Sequence, residues 1–151
     1  MAQTIFLGAD HAGFPLKTLL VPYLQEKGYQ VEDLGCHSTD SVDYPLVSKS
    51  LAEALAKVPD ALGILVCGSG IGVSIGANRF PHIRAALAND LFSAKLSKLH
   101  NNANVLCMGS RVIAPQLAFE IVSTWLDTPF EGERHQRRVD QLSNLTEAIS
   151  C

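Results

Sequence analysis

The sequence predicts an α/β domain built on an open, mostly parallel five-stranded sheet with helices on both faces. Three observations carry this. Short apolar runs alternate with helix-like stretches from one end of the chain to the other. The run Leu62–Cys67 (LGILVC) is apolar throughout, as in a strand covered on both sides. The chain has 151 residues, 47% hydrophobic and 18% charged, which suits a single domain over 1–151 and excludes a disordered chain.

The elements follow in order. Thr4–Gly8 reads as a strand, and Pro15–Lys27 as a helix with proline in its first turn and Gly28 after its last. Pro22 lies inside that helix and lacks an N–H, so a kink or an early break is expected there. Gln30–Leu34 is the second strand, and a polar stretch, Gly35–Tyr44, follows it. Leu46, Val47, Leu51 and Leu55 share one face of a helix over Pro45–Lys57. Leu62–Cys67 is the third strand, followed by a glycine-rich turn and a short helix. Arg84–Ala88 is the fourth strand and Asp90–Leu99 a helix. Asn104–Met108 is the fifth strand and Pro115–Leu126 a helix. A polar, basic helix over about 133–149 closes the chain.

Twelve basic against fifteen acidic side chains give a net charge of −3, which argues against a general nucleic-acid or membrane-surface binder. No apolar run approaches the roughly 18–20 residues of a bilayer span. The start, MAQTIFLGADHAG, has neither the basic segment nor the long apolar segment of a signal peptide. A cytoplasmic protein is therefore expected. Its four cysteines, Cys36, Cys67, Cys107 and Cys151, stand singly, which suits reduced thiols and not a structural zinc site.

In open parallel sheets, ligands bind beyond the carboxyl ends of the strands. That rule selects Ala9–Gly13, Cys67–Gly72, Asn89–Asp90 and Gly109–Arg111. The strongest signal is Cys67 followed at once by Gly68, Ser69, Gly70, Ile71 and Gly72. Closely spaced glycines let consecutive amides point one way at a helix start, a site for an anion or a developing oxyanion. A thiol in such a place has its pKa lowered from about 8.5. The plain alternative is a buried cysteine before a tight turn.

Asp10 and His11 put an acid and an imidazole at the end of the first strand; Asp10 reads equally as a helix N-cap, and His11 as a solvated loop residue. His100 and Asn101 lie between a helix and the fifth strand, where a histidine also serves as a helix-end cap. Arg111 ends the fifth strand's loop and reads equally as a surface ion-pair partner. Arg134 and Arg138, four apart with His135 adjacent, suit a phosphate, although a solvated helix face explains them as well. His37 and His82 receive no role.

Two other functions fit the fold class. A dinucleotide site would use the glycines at 68, 70, 72 and 76 with Asp90 on the ribose, but that spacing is not GxGxxG. A signalling receiver domain would need acidic residues at the ends of strands one and three, and strand three ends in Cys67.

Five segments together resemble the ribose-5-phosphate isomerase B family, which includes the galactose-6-phosphate isomerase subunits. They are GADHAGF at 8–14, DYP at 43–45, CGSGIG at 67–72, HNNANVLCMGSR at 100–111 and ERHQRRV at 133–139. They run in order from end to end of the chain. The resemblance implies a flavodoxin-like or Rossmann-like fold and interconversion of aldose and ketose phosphates without metal or cofactor. It also implies a homodimer, in some members a dimer of dimers, with sites at the subunit interface and the last helix contributing to the dimer. Residue by residue it implies Cys67 as the proton-abstracting base and Gly68–Gly72 as the anion hole. His100 becomes the ring-opening acid, with Asp10 and His11 close by on the sugar. Asn101 and Arg111 contact substrate, and Arg134 and Arg138 clamp the phosphate. Ser69 stands where many members have threonine and keeps the hydroxyl. Ribose 5-phosphate is the expected substrate; a six-carbon sugar 6-phosphate is the alternative.

Overall fold

The computed structural model describes residues 2–145. Five strands, β1 (Thr4–Ala9), β2 (Gln30–Asp33), β3 (Leu62–Cys67), β4 (Ala85–Leu87) and β5 (Val105–Gly109), form one parallel sheet in the order β2-β1-β3-β5-β4. Among the described residues six helices connect and follow them: α1 (Phe14–Glu26), α2 (Tyr44–Lys57), α3 (Ile71–Ala77), α4 (Leu91–Leu99), α5 (Pro115–Asp127) and α6 (Arg134–Ser143).

Side chains on a strand alternate between faces, and the central strands fill a core on each side. Ile5, Leu7, Ile64, Val66, Leu106 and Met108 pack against α1, α4 and α5. Phe6, Leu65, Cys67, Val105 and Cys107 pack against α2 and α3. The apolar Leu62–Cys67 run is thus explained by cover on both faces. The edge strands β2 and β4 are short and largely exposed.

Pro22 does not break α1, which is continuous from Phe14 to Glu26. Leu16, Leu20 and Leu24 bury one side of that helix on the sheet. That burial, at roughly 1.5–3 kcal/mol per large apolar side chain, exceeds what one proline removes, about 3 kcal/mol. Gly28, at φ +92°, ends the helix as expected. The last helix begins at Arg134 and is described as far as Ser143; residues 146–149 of the expected span lie outside the described residues.

Candidate active site

The loops after β1, β3 and β5 meet at the carboxyl edge of the sheet. The chain leaves β1 and β3 in opposite directions, towards β2 and β4, and a crevice opens where two such neighbours diverge. Cys67 ends β3 at this point and is 5% exposed. Its Sγ accepts the Gly70 N–H at 3.2 Å. That turn requires glycine: φ at Gly70 is +82°, and a β-carbon would lie 2.6 Å from the Leu87 side chain and 2.8 Å from the Met108 backbone. The Ile71 N–H donates to the Ser69 hydroxyl at 3.2 Å, and the chain enters α3 at once.

Backbone ties hold this loop from three sides. The Ser110 N–H donates to the Cys67 carbonyl at 2.9 Å, and the Arg111 N–H to the Gly68 carbonyl at 3.0 Å. The Ser110 hydroxyl donates to the Ala12 carbonyl at 2.7 Å, joining the loops after β5 and β1. Asn89 donates to the Ser69 carbonyl at 3.2 Å and accepts the Gly109 N–H at 2.8 Å. The Arg111 guanidinium lies against Gly68.

Asp10 is not the N-cap of α1. Gly13 holds that position, because a β-carbon there would meet the Val66 carbonyl oxygen at 2.1 Å. The buried Asp10 carboxylate accepts the Gly13 N–H at 3.0 Å. His11 is half-buried, and its Nδ1 accepts the Val42 N–H at 3.2 Å. The neutral ring therefore carries its proton on Nε2, leaving a donor for a ligand. Asp10 and His11 line a cavity of about 490 Å³ with Tyr44 at its wall. Lys17, a buried cation on α1, steadies the neighbouring loop by pairing with Asp33 at 2.6 Å.

His100, Asn101, Arg134 and Arg138 lie elsewhere. In a parallel sheet each connecting helix runs back from the carboxyl edge to the amino edge. His100 is the C-cap of α4, so it sits at the amino edge, roughly 15–20 Å from Cys67 by strand rise. Its ring stacks on His135, centroids 4.3 Å apart and planes 11° apart. Glu131 Oε2 lies 3.7 Å from His100 Nε2 and 4.0 Å from His135 Nε2. Burial, then the charges of His100, Arg134 and Arg138, push the His135 imidazole pKa down, with Glu131 opposing. His100, Asn101, His135 and Arg138 line a cavity of about 350 Å³.

The structure thus gathers Asp10, His11, Cys67, Gly68–Gly72 and Arg111 at one edge. It gathers His100, Asn101, Arg134 and Arg138 at the other. Sequence reasoning assigned no role to Ser110, Asn89, Lys17 or Tyr44, and Glu131 entered only as a carboxylate that could neutralise the arginine cluster. Ser110 and Asn89 stand at strand ends that the carboxyl-edge rule had selected. The i,i+4 spacing of Glu131 to His135 is the further signal that would have paired the two. Asp90, which a dinucleotide site would use, is instead the N-cap of α4, accepting the Ser93 N–H at 2.7 Å and its hydroxyl at 2.8 Å. Among the described residues no helix is long and apolar enough to cross a membrane.

The Ribose/Galactose Isomerase family model matches residues 5–142. The ribose-5-phosphate isomerase B of Escherichia coli K12 is 44% identical, over 95% of this chain and 96% of its own. A D-erythrulose-4-phosphate isomerase of Pectobacterium atrosepticum is 42% identical over 92% of each. The structure of Mycoplasma genitalium ribose-5-phosphate isomerase B with bound ribulose 5-phosphate superposes with a TM-score of 0.94, at 38% identity, covering 99% of both chains. With the fold, the strand-end thiol and the glycine loop all in place, the chain belongs to the ribose/galactose isomerase family.

Proposed function

We propose that this protein interconverts ribose 5-phosphate and ribulose 5-phosphate, in sites that two copies of the chain build together. The carrying observation is Cys67: a thiol at the β1/β3 divergence, with a backbone N–H on its sulfur and glycine amides beside it. The thiolate, and not the thiol, is the form that takes a proton. Cys67 removes the proton from C2 of the open-chain aldose. Amides of the Gly68–Gly72 turn hold the negative oxygen of the enediolate, the hydroxyl proton on O2 passes to O1, and Cys67 returns its proton to C1.

Sugar phosphates are mostly cyclic, so the ring opens first. A proton passes to the ring oxygen from His100, while Asp10 takes one from the anomeric hydroxyl. Arg134 and Arg138 hold the phosphate, and that remote binding energy positions the reacting carbons. His11 Nε2–H, Asn101 and Arg111 contact the sugar. The sheet separates Cys67 from His100 within one chain, which favours a site shared across a homodimer. The family description spans ribose and galactose, so a six-carbon sugar 6-phosphate is the alternative.

Mixing two inactive variants tests both the roles and the shared site. Cys67→Ala and His100→Asn, unfolded and refolded together, form mixed dimers in which one of two sites is intact. Recovery of about a quarter of wild-type activity is expected from random pairing. Mixed dimers that form without regaining activity would place the base and the acid in the same chain and overturn the reading.

A further inference from the structure

The side-chain cluster at the amino edge places beside His100 two donors, Glu131 and His135, that the proposed sugar chemistry does not use. One ring nitrogen each of His100 and His135 and a Glu131 oxygen all lie within 4.8 Å of one another. His135 is 5% exposed, and its Nε2 is buried without a hydrogen-bond partner. A buried polar nitrogen left unpaired costs stability and calls for a reason. Here the nitrogen faces two other ligand atoms, one on a helix end and one a turn before its own helix.

Two imidazoles and a carboxylate are a donor set for Zn²⁺ bound by three protein ligands with one position open. Zinc–nitrogen bonds of about 2.0–2.1 Å put tetrahedral ligand atoms about 3.4 Å apart. The separations of 3.7 and 4.0 Å approach this. The two rings stack nearly parallel, so their in-plane lone pairs do not converge as they stand; His100 and Glu131 are each more than a third exposed, and His100 turns out of the stack to close the site around the fixed His135. Arg134 and Arg138 stand close enough to act on His135. Their charge weakens cation binding, which suits a reversible occupant and not a resident cofactor.

We infer that His100, Glu131 and His135 form a site for a divalent transition metal, Zn²⁺ in the first instance, whose occupancy stops isomerisation by tying up His100. The site rests on the geometry alone; the loss of activity rests on the ring-opening role proposed for His100.

Cobalt is the probe, because Co²⁺ reports its ligands optically. Titration of the intact protein is expected to show the visible bands of tetrahedral Co²⁺, without thiolate-to-cobalt charge transfer, and Zn²⁺ should bleach them. Glu131→Gln and His135→Gln should each weaken binding by about 100-fold or more, at least the loss seen when supporting residues of a metal site are removed. Glu131 is exposed, so its variant keeps the test sound even where His135→Gln misfolds. A thiolate band, or unchanged affinity in a folded Glu131→Gln protein, would overturn the assignment. Zn²⁺ should also abolish turnover with a midpoint matching its binding, and chelation should restore it. A filled site with full turnover on the cyclic sugar would leave the metal site standing and remove His100 from ring opening.

Discussion

The two edges of the sheet are built in different ways. At the carboxyl edge, Cys67, Asp10 and the glycine loop are positioned largely through backbone amides: those of Gly13, Gly70 and Gly109 donate to the Asp10, Cys67 and Asn89 side chains, and those of Ser110 and Arg111 to the Cys67 and Gly68 carbonyls. At the amino edge, His100, His135, Glu131 and Arg138 are side chains on α4, on α6 and on the turn between α5 and α6, held by stacking and charge. A backbone-built site is ready before substrate arrives, which suits the step that stabilises a developing oxyanion. A side-chain-built site adjusts, which suits gripping a phosphate and passing one proton.

The sharpest way to break this comparison is at the thiol. Cys67→Ala removes the sulfur that accepts the Gly70 N–H but leaves the ties through Gly13, Gly109, Ser110 and Arg111, and should lower kcat by about 10²–10⁴, the range of general base catalysis. Binding of an unreactive phosphate analogue, followed by calorimetry, should change little. Iodoacetamide should label Cys67 ahead of Cys107, whose thiol pKa is pushed well above the ordinary value by burial and by the neighbouring Cys67. Normal turnover in the alanine variant would make the carboxyl edge a scaffold only.

Two glycines sharpen the comparison on stability. Gly70 and Gly132 both have positive φ, +82° and +74°, but a β-carbon at Gly132 meets nothing within 4 Å. Gly70→Ala adds overlap to backbone strain and should cost about 2–4 kcal/mol, with activity lost in the folded fraction. Gly132→Ala carries strain alone and should cost about 1 kcal/mol. Urea unfolding of both variants measures this, and equal losses would show that the glycine loop is no tighter than the turn before α6.

The same contrast decides what was legible in the sequence. Strand-end rules and glycine spacing located Cys67–Gly72, Asp10 and Arg111, because backbone geometry is written in local residue choice. The alternation of strands and helices located every element. The reversal that carries β5 between β3 and β4 was not legible, since it depends on which strand edges pair and not on any local pattern. The meeting of His100 with Glu131 and His135 was equally hidden. It needs α4 to end where the turn before α6 passes, the Glu131 N–H donating to the Leu99 carbonyl at 3.0 Å. Pro22 misled because a propensity was weighed without the burial that overrides it.

Arg138 tests the adjustable edge. It lines the cavity with His100. Its loss should raise KM for the sugar phosphate by about 30-fold or more, since truncating one partner of a desolvated charge pair costs about 2 kcal/mol upward. Unphosphorylated ribose should remain an equally poor substrate for variant and wild type. Steady-state kinetics on both sugars measures this; a matching loss on the two would mean that Arg138 supports the fold and not the phosphate.

The smallest effect is expected at Asp90, where the carboxyl-edge loop after β4 becomes α4. The Ser93 N–H and hydroxyl hold the Asp90 carboxyl below its usual pKa. A pKa lowered in the folded state contributes stability above the unfolded value and loses it as pH falls through the folded value. Asp90→Ala should therefore cost about 1 kcal/mol at pH 7, the usual worth of an N-cap. The difference from wild type should hold down to roughly pH 4.5 and shrink below pH 4, where unfolded aspartate protonates near 3.9. Asp90→Asn keeps an acceptor for the Ser93 N–H, so it should retain most of the cap with no such pH dependence. Urea midpoints of the three proteins at several pH values give the answer. A penalty in Asp90→Ala that stays constant into acid would mean that the cap acts through shape and not through charge.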